Sequence, residues 1–157
     1  MQPKKAAPHK SVLNYNQRKL FFFDRGMISF NEIEMLKWAI SSNYKEHYRF
    51  VLYTNCEDIA KKMFPKDVTI ISSYWGLFHQ LTSKYVFVEQ NGHKWLCKPT
   101  RKQKIVQLWH GTPIKKVGSL NNQQQWFKYN EVYTHVLAPS DYSWTIMKKT
   151  IISALSN

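Results

Sequence analysis

One histidine in this chain stands where an apolar run stops. Ile105, Val106, Leu108 and Trp109 are the β-branched, aliphatic and aromatic residues of a buried strand, and Gly111 follows His110 at once, which places His110 at the strand's C-terminal end. In open α/β sheets, that edge binds ligands. An imidazole titrates near neutrality, so His110 there suits a general base beside a bound substrate. Beyond it, Thr112 suits a helix N-cap, Pro113 the first helical position and Gly118 the residue just past the end, predicting a helix of barely one turn. The free N–H groups at its start, supplied by Gly111 and Thr112 but not by Pro113, would face a substrate phosphate together with Lys115 and Lys116.

Each of these residues also has a plainer reading. A lone histidine after a strand is most often a core residue, and a lysine pair is most often a solvated face. His93 and Cys97 lie four apart, as two zinc ligands on one helix face do, but Gly92 and Pro99 crowd the segment and no second pair exists, so no metal is expected there. No carboxylate cluster is legible for Mg²⁺ either. Cys56 and Cys97 form no Cys-x-x-Cys pair and read as reduced packing residues.

The elements that must position His110 alternate. Leu20–Phe23 forms a first buried strand, closed by Asp24, Arg25 and Gly26. Asn31 suits the N-cap of a helix to Ile40, with Glu34 three residues on completing a capping box. A second strand spans Tyr48–Thr54, followed by Asn55 as the cap of a helix reaching Pro65. Val68–Ser72, Trp75–Leu81 and Tyr85–Val88 read as strand, short helix and strand, the last ending at Glu89. A basic excursion, Asn91–Gln103, leads to the His110 strand. Then follow a Gln-rich helix over Asn122–Tyr133, a strand over Thr134–Ala138 ended by Pro139, and a helix capped by Ser140 that presents Trp144, Met147, Ile151 and Leu155. This rhythm predicts an α/β fold, a Rossmann-like doubly wound parallel sheet with right-handed crossovers.

With 157 residues the chain suits one domain, and residues 1–19 read as a flexible basic arm ahead of it. Lys and Arg number 23 against 10 Asp and Glu, a net charge of +13, so polyanions or an anionic membrane surface are the expected neighbours. After Glu89 the only acidic residues are Glu131 and Asp141. The proposed site therefore lies in the more basic part. No run approaches the ~20 apolar residues of a membrane span, and the N-terminus lacks the apolar core of a secretory signal, so a cytoplasmic protein is expected.

Gln107 to Lys115, read Gln-Leu-Trp-His-Gly-Thr-Pro-Ile-Lys, resembles the Gln-x-Trp-His-Gly-Thr-Pro-x-Lys hallmark of the CDP-glycerol glycerophosphotransferases, which build teichoic acids and related glycerol-phosphate polymers. Weaker likeness extends through Lys84–Val88 and Ala138-Pro139-Ser140. The resemblance implies that residues 20–157 are the acceptor-side lobe of a two-lobed GT-B transferase. The nucleotide-binding lobe, which in the family supplies the CDP-binding residues and another essential histidine, is expected to be absent, leaving this chain a fragment inactive by itself.

The resemblance further implies transfer of glycerol phosphate from CDP-glycerol to a growing or lipid-linked polymer acceptor, with release of CMP. The reaction would run at the inner face of the cell membrane, without metal or other cofactor. His110 would be the base, Gly111, Thr112, Pro113, Lys115 and Lys116 would border the substrate, and Lys115 is the family's motif lysine. Two other readings stand beside this one: a truncated remnant or acceptor-binding module that folds without catalysing anything, and a polyanion- or nucleic-acid-binding module using aromatic residues among lysines. No RNP1-like segment, zinc-finger spacing or helix-turn-helix pattern supports the second.

Overall fold

The computed structural model describes residues 16–24, 28, 31–42, 44–64, 66–89, 97–100, 102–109 and 132–148. In chain order these form β1 (Asn16–Phe23), α1 (Asn31–Ser41), a 3₁₀ turn (Tyr44–Glu46), β2 (Arg49–Tyr53), α2 (Glu57–Met63), β3 (Val68–Ile71) and α3 (Trp75–Thr82). There follow β4 (Ser83–Val88), β5 (Lys104–Gln107), β6 (His135–Val136) and α4 (Asp141–Met147). The sheet order is β3-β2-β1-β4-β5-β6, and every neighbouring pair is parallel. The expected α/β doubly wound architecture is therefore the one observed.

A parallel sheet covered on both faces needs strands apolar at every position, because alternate side chains enter opposite cores. The triple phenylalanine of β1 shows this directly. Phe21 and Phe23 join Val51, Tyr53, Val86, Val88, Ile105 and Trp109 on one face, where Val132, ahead of β6, and Met147 of α4 close the core. Leu20 and Phe22 join Phe50, Leu52, Phe87 and Leu108 on the other, against Ile33, Leu36 and Ala39 of α1 and Ala60 of α2. Phe22 stacks on Phe87 with ring centroids 4.9 Å apart, and Phe23 stacks on Tyr53 at 5.0 Å. Full burial of each such ring contributes about 1.5–3 kcal/mol. Gly76, in the first turn of α3, is required by close approach: a Cβ there would lie 2.3 Å from Cδ2 of Tyr53.

Several boundaries differ from those expected. β1 begins at Asn16 instead of Leu20, where the ladder to β4 shifts register between Asn16 and Leu20. Polar residues can extend a central strand because the ladder bonds are main-chain bonds. Cys56, not Asn55, is the N-cap of α2, and its side chain makes no capping bond. The Thr54 hydroxyl instead accepts the Cys56 N–H at 3.1 Å. β6 is two residues long rather than five. Thr134 precedes it and binds Ile105 through both its N–H and its hydroxyl.

The Ser140 cap is as expected, its Oγ accepting the Ser143 N–H at 3.2 Å. Met147 is fully buried, whereas Trp144 is 40% exposed. Ile151, Leu155 and all but the last two residues of the expected Asn122–Tyr133 helix lie outside the described residues. Cys56 and Cys97 are both half-buried and neither forms a disulfide.

Candidate functional site

Strand order reverses between β1 and β4: the chain runs outward from β1 to β3, then returns to build β4, β5 and β6 on the other side. Crossovers on either side of such a switch point leave on opposite faces, opening a crevice beyond the C-terminal strand ends. Here that edge carries polar residues, each directly after an apolar strand: Asp24 after β1, Thr54 after β2 and Glu89 after β4. All three are at most 2% exposed. Buried polar groups need partners, and this edge supplies them from neighbouring strand ends. Thr54 donates its hydroxyl to Asp24 Oδ2 at 2.5 Å, and the Ile28 N–H donates to the same oxygen at 3.3 Å. Ile28 has φ 39°, an uncommon conformation for a β-branched residue.

The first turn of α1 enters the same edge. The Asn31 N–H donates to Glu89 Oε2 at 3.0 Å, and Asn31 Nδ2 donates to the Trp109 carbonyl oxygen. The spacing of Asn31 in the sequence suits an N-cap with Glu34 as its partner. Instead Asn31 is the first helical residue, its side chain crosses to the segment after β5, and Glu34 pairs with Lys37 in solvent at 2.7 Å.

Glu32 follows Asn31 and is 3% exposed. Burial, and then its hydrogen bond to Glu89, push the Glu32 carboxyl up to about 10, so it is a neutral acid at pH 7 beside the Glu89 side chain. Among the described residues its Oε2 has no hydrogen-bond partner. A protonated acid is a poor metal ligand, and among the described residues no three His, Cys, Asp or Glu side chains come together to hold a metal ion.

Of the sequence-predicted site, Gln107, Leu108 and Trp109 are described, while His110, Gly111, Thr112, Pro113, Lys115 and Lys116 lie outside the described residues. β5 ends at Gln107, two residues earlier than expected. Leu108 still donates its N–H to Val88 at 2.7 Å. Trp109 then takes φ 61°, a left-handed conformation costing roughly 1–2 kcal/mol for a residue with a Cβ. Gln107 Oε1 accepts the Trp109 N–H at 3.2 Å, and the indole is buried in the core. His110 is therefore bonded to a residue that is tightly held at the switch-point edge.

Asn31, Glu32, Glu89, Asp24 and Thr54 were not singled out as site residues from the sequence. The available signal was local: Phe-Phe-Phe-Asp and Val-Phe-Val-Glu each end an apolar strand on a carboxylate. Nothing local marks Asn31, whose partners are 58 and 78 residues away.

The opposite edge is basic. Arg18, Lys45, His47 and Arg49 surround a hollow of about 300 Å³, with Glu46 the one acidic residue among the described residues of its lining. Lys19, 7% exposed, donates to the Thr82 hydroxyl at 2.5 Å and lies 5.5 Å from the centre of the Phe78 ring. Burial, and then Arg49, lower its pKa. Among the described residues no helix is long and apolar enough to cross a membrane.

Comparison with known proteins gives a family and a fold. The family model described as CDP-glycerol:poly(glycerophosphate) glycerophosphotransferase matches residues 7–153. A structure of the wall teichoic acid polymerase TagF superposes with a TM-score of 0.71 at 15% sequence identity, covering 88% of this chain and 36% of that one. A variant of that polymerase soaked with CDPG for 30 minutes gives 0.71 at 16% identity, covering 88% and 37%. These likenesses concern the fold, and the chain spans little more than a third of the polymerase structures. No curated protein matches this sequence.

Proposed function

The chain belongs to the CDP-glycerol:poly(glycerophosphate) glycerophosphotransferase family, and on that premise we propose that it serves the transfer of glycerol phosphate from CDP-glycerol to a hydroxyl of a glycerol-phosphate polymer or lipid-linked acceptor. The observation that supports the reading is that Trp109, the residue before His110 in the sequence, is held at the switch-point edge, where an open α/β sheet binds its ligands. His110 takes the proton of the acceptor hydroxyl. The hydroxyl oxygen attacks the phosphorus bearing the glycerol, a new P–O bond forms, the bond to the CMP oxygen breaks and CMP leaves.

Gly111 and Thr112 offer backbone N–H groups to phosphate, Pro113 turns the chain, and Lys115 and Lys116 meet the acceptor's anionic units. The remaining donor contacts come from a nucleotide-binding lobe of the GT-B kind, a reading consistent with the share of the polymerase structures this chain spans. CMP release from CDP-glycerol by the native gene product, compared between wild type and His110→Ala, tests the assignment. Equal rates would remove His110 from the chemistry.

A second reading rests on the basic hollow at the opposite edge and the net charge of +13: the chain binds a polyanion, either the polymer or an anionic membrane face, without catalysing transfer. Sedimentation with anionic vesicles and with free glycerol-phosphate polymer, in the absence of CMP release, would favour it over the transferase reading.

A further inference from the structure

Asn31 connects three parts of the switch-point edge that are far apart in sequence. It opens α1, its N–H rests on Glu89 at the end of β4, and its side-chain amide holds the Trp109 carbonyl beyond the end of β5. The first N–H groups of a helix have no intrahelical acceptor, so the contact with Glu89 satisfies one of them and fixes where α1 starts. Glu89 is in turn held by Glu32, the next residue of the same helical turn. The turn therefore grips Glu89 from two consecutive positions.

The carbonyl that Asn31 holds belongs to the planar peptide unit that carries the N–H of His110. Trp109 is fixed on its other side too, by the Gln107 side chain at its N–H and by burial of its indole. Its φ of 61° is one that surrounding contacts must maintain, and such residues cluster where geometry serves function. A Glu or Asp at position 31 would present no amide donor to this carbonyl, and Ser would be too short to reach it.

We propose that Asn31 is a positioning residue for glycerol-phosphate transfer: anchored on Glu89, its side-chain amide fixes the Trp109 carbonyl and with it the peptide that leads into His110. This rests on the reading of His110 as the base. Small displacements of a reacting group lower turnover steeply while leaving substrate binding intact, so the signature is a fall in kcat without a change in KM.

The test has two arms. In the isotope-labelled chain, the carbonyl ¹³C resonance of Trp109 reports its hydrogen bond directly. Asn31→Ala should move that resonance while those of Phe22 and Phe87 in the core stay in place, and Asn31→Ser should do the same if the alanine variant does not fold. In the native transferase, each variant should lower kcat by about tenfold to a hundredfold with the KM for CDP-glycerol within about twofold. An unmoved Trp109 resonance, or a loss confined to KM, overturns the proposal. Wild-type CMP release in His110→Ala would overturn the base assignment instead, and the Trp109 resonance would still decide whether Asn31 sets the geometry.

Discussion

Glu32 and Glu89 meet as a buried carboxyl pair, 3% and 1% exposed, that joins the first turn of α1 to the end of β4. Burial, and then the hydrogen bond to the Glu89 side chain, keep the Glu32 carboxyl protonated well above the usual carboxylate range. Its folded pKa of about 10 lies far above the ordinary value of 4.5. Between those values the native chain binds a proton that the unfolded chain releases. The contribution to stability is complete below the ordinary carboxyl range and is lost as pH rises toward 10. Glu32→Gln keeps the shape and a donor but does not titrate. Thermal melts at pH 5, 7 and 9 should therefore show an advantage of the variant over wild type that grows with pH; parallel curves would mean that Glu32 carries no retained proton.

For His110→Ala, CMP release by the native transferase should fall by roughly two to four orders of magnitude, the range lost with a general base. Far-UV circular dichroism and the melting temperature of the chain should stay near wild type. A collapsed fold would indicate a core histidine rather than a base.

Lys115→Glu should raise the acceptor KM by about tenfold or more, since a charge-assisted hydrogen bond is worth roughly 1.5–3 kcal/mol. The donor KM should change less. Steady-state kinetics with a defined glycerol-phosphate acceptor separates the two, and an unchanged acceptor KM takes Lys115 out of the site.

Gly76→Ala should destabilise the fold by about 1–3 kcal/mol, the usual result of forcing a methyl group into packed space. The new Cβ would lie 2.3 Å from the Tyr53 ring, and that ring is stacked on Phe23 at 5.0 Å, which limits how far it can move. Urea titration of the chain gives the value; no shift in midpoint would mean that α3 slides away without cost.

Much of this fold is written in short-range patterns. Phe21-Phe22-Phe23 and Phe50-Val51-Leu52-Tyr53 are apolar at every position, which only a sheet covered on both faces can bury, and their alternation with helical segments imposed parallel crossovers. Ser140 was legible as a cap because the bond it makes is local. Asn31 has the same kind of side chain and misled for the same reason: the local rule offered it a capping role, whereas its observed partner, Trp109, is 78 residues away.

The histidine motif, its order of residues and the basic charge around it belong to the sequence alone, and they sufficed to suggest phosphate chemistry. Only the tertiary structure decided that the order β3-β2-β1-β4-β5-β6 brings Asp24, Glu32, Glu89 and Asn31 to the edge where β5 leads toward that motif. The reason is physical. Propensity, capping and periodicity act over a few residues, but a switch point is created by which strands pair, and the proton held by Glu32 depends on the burial and the neighbour that this pairing supplies.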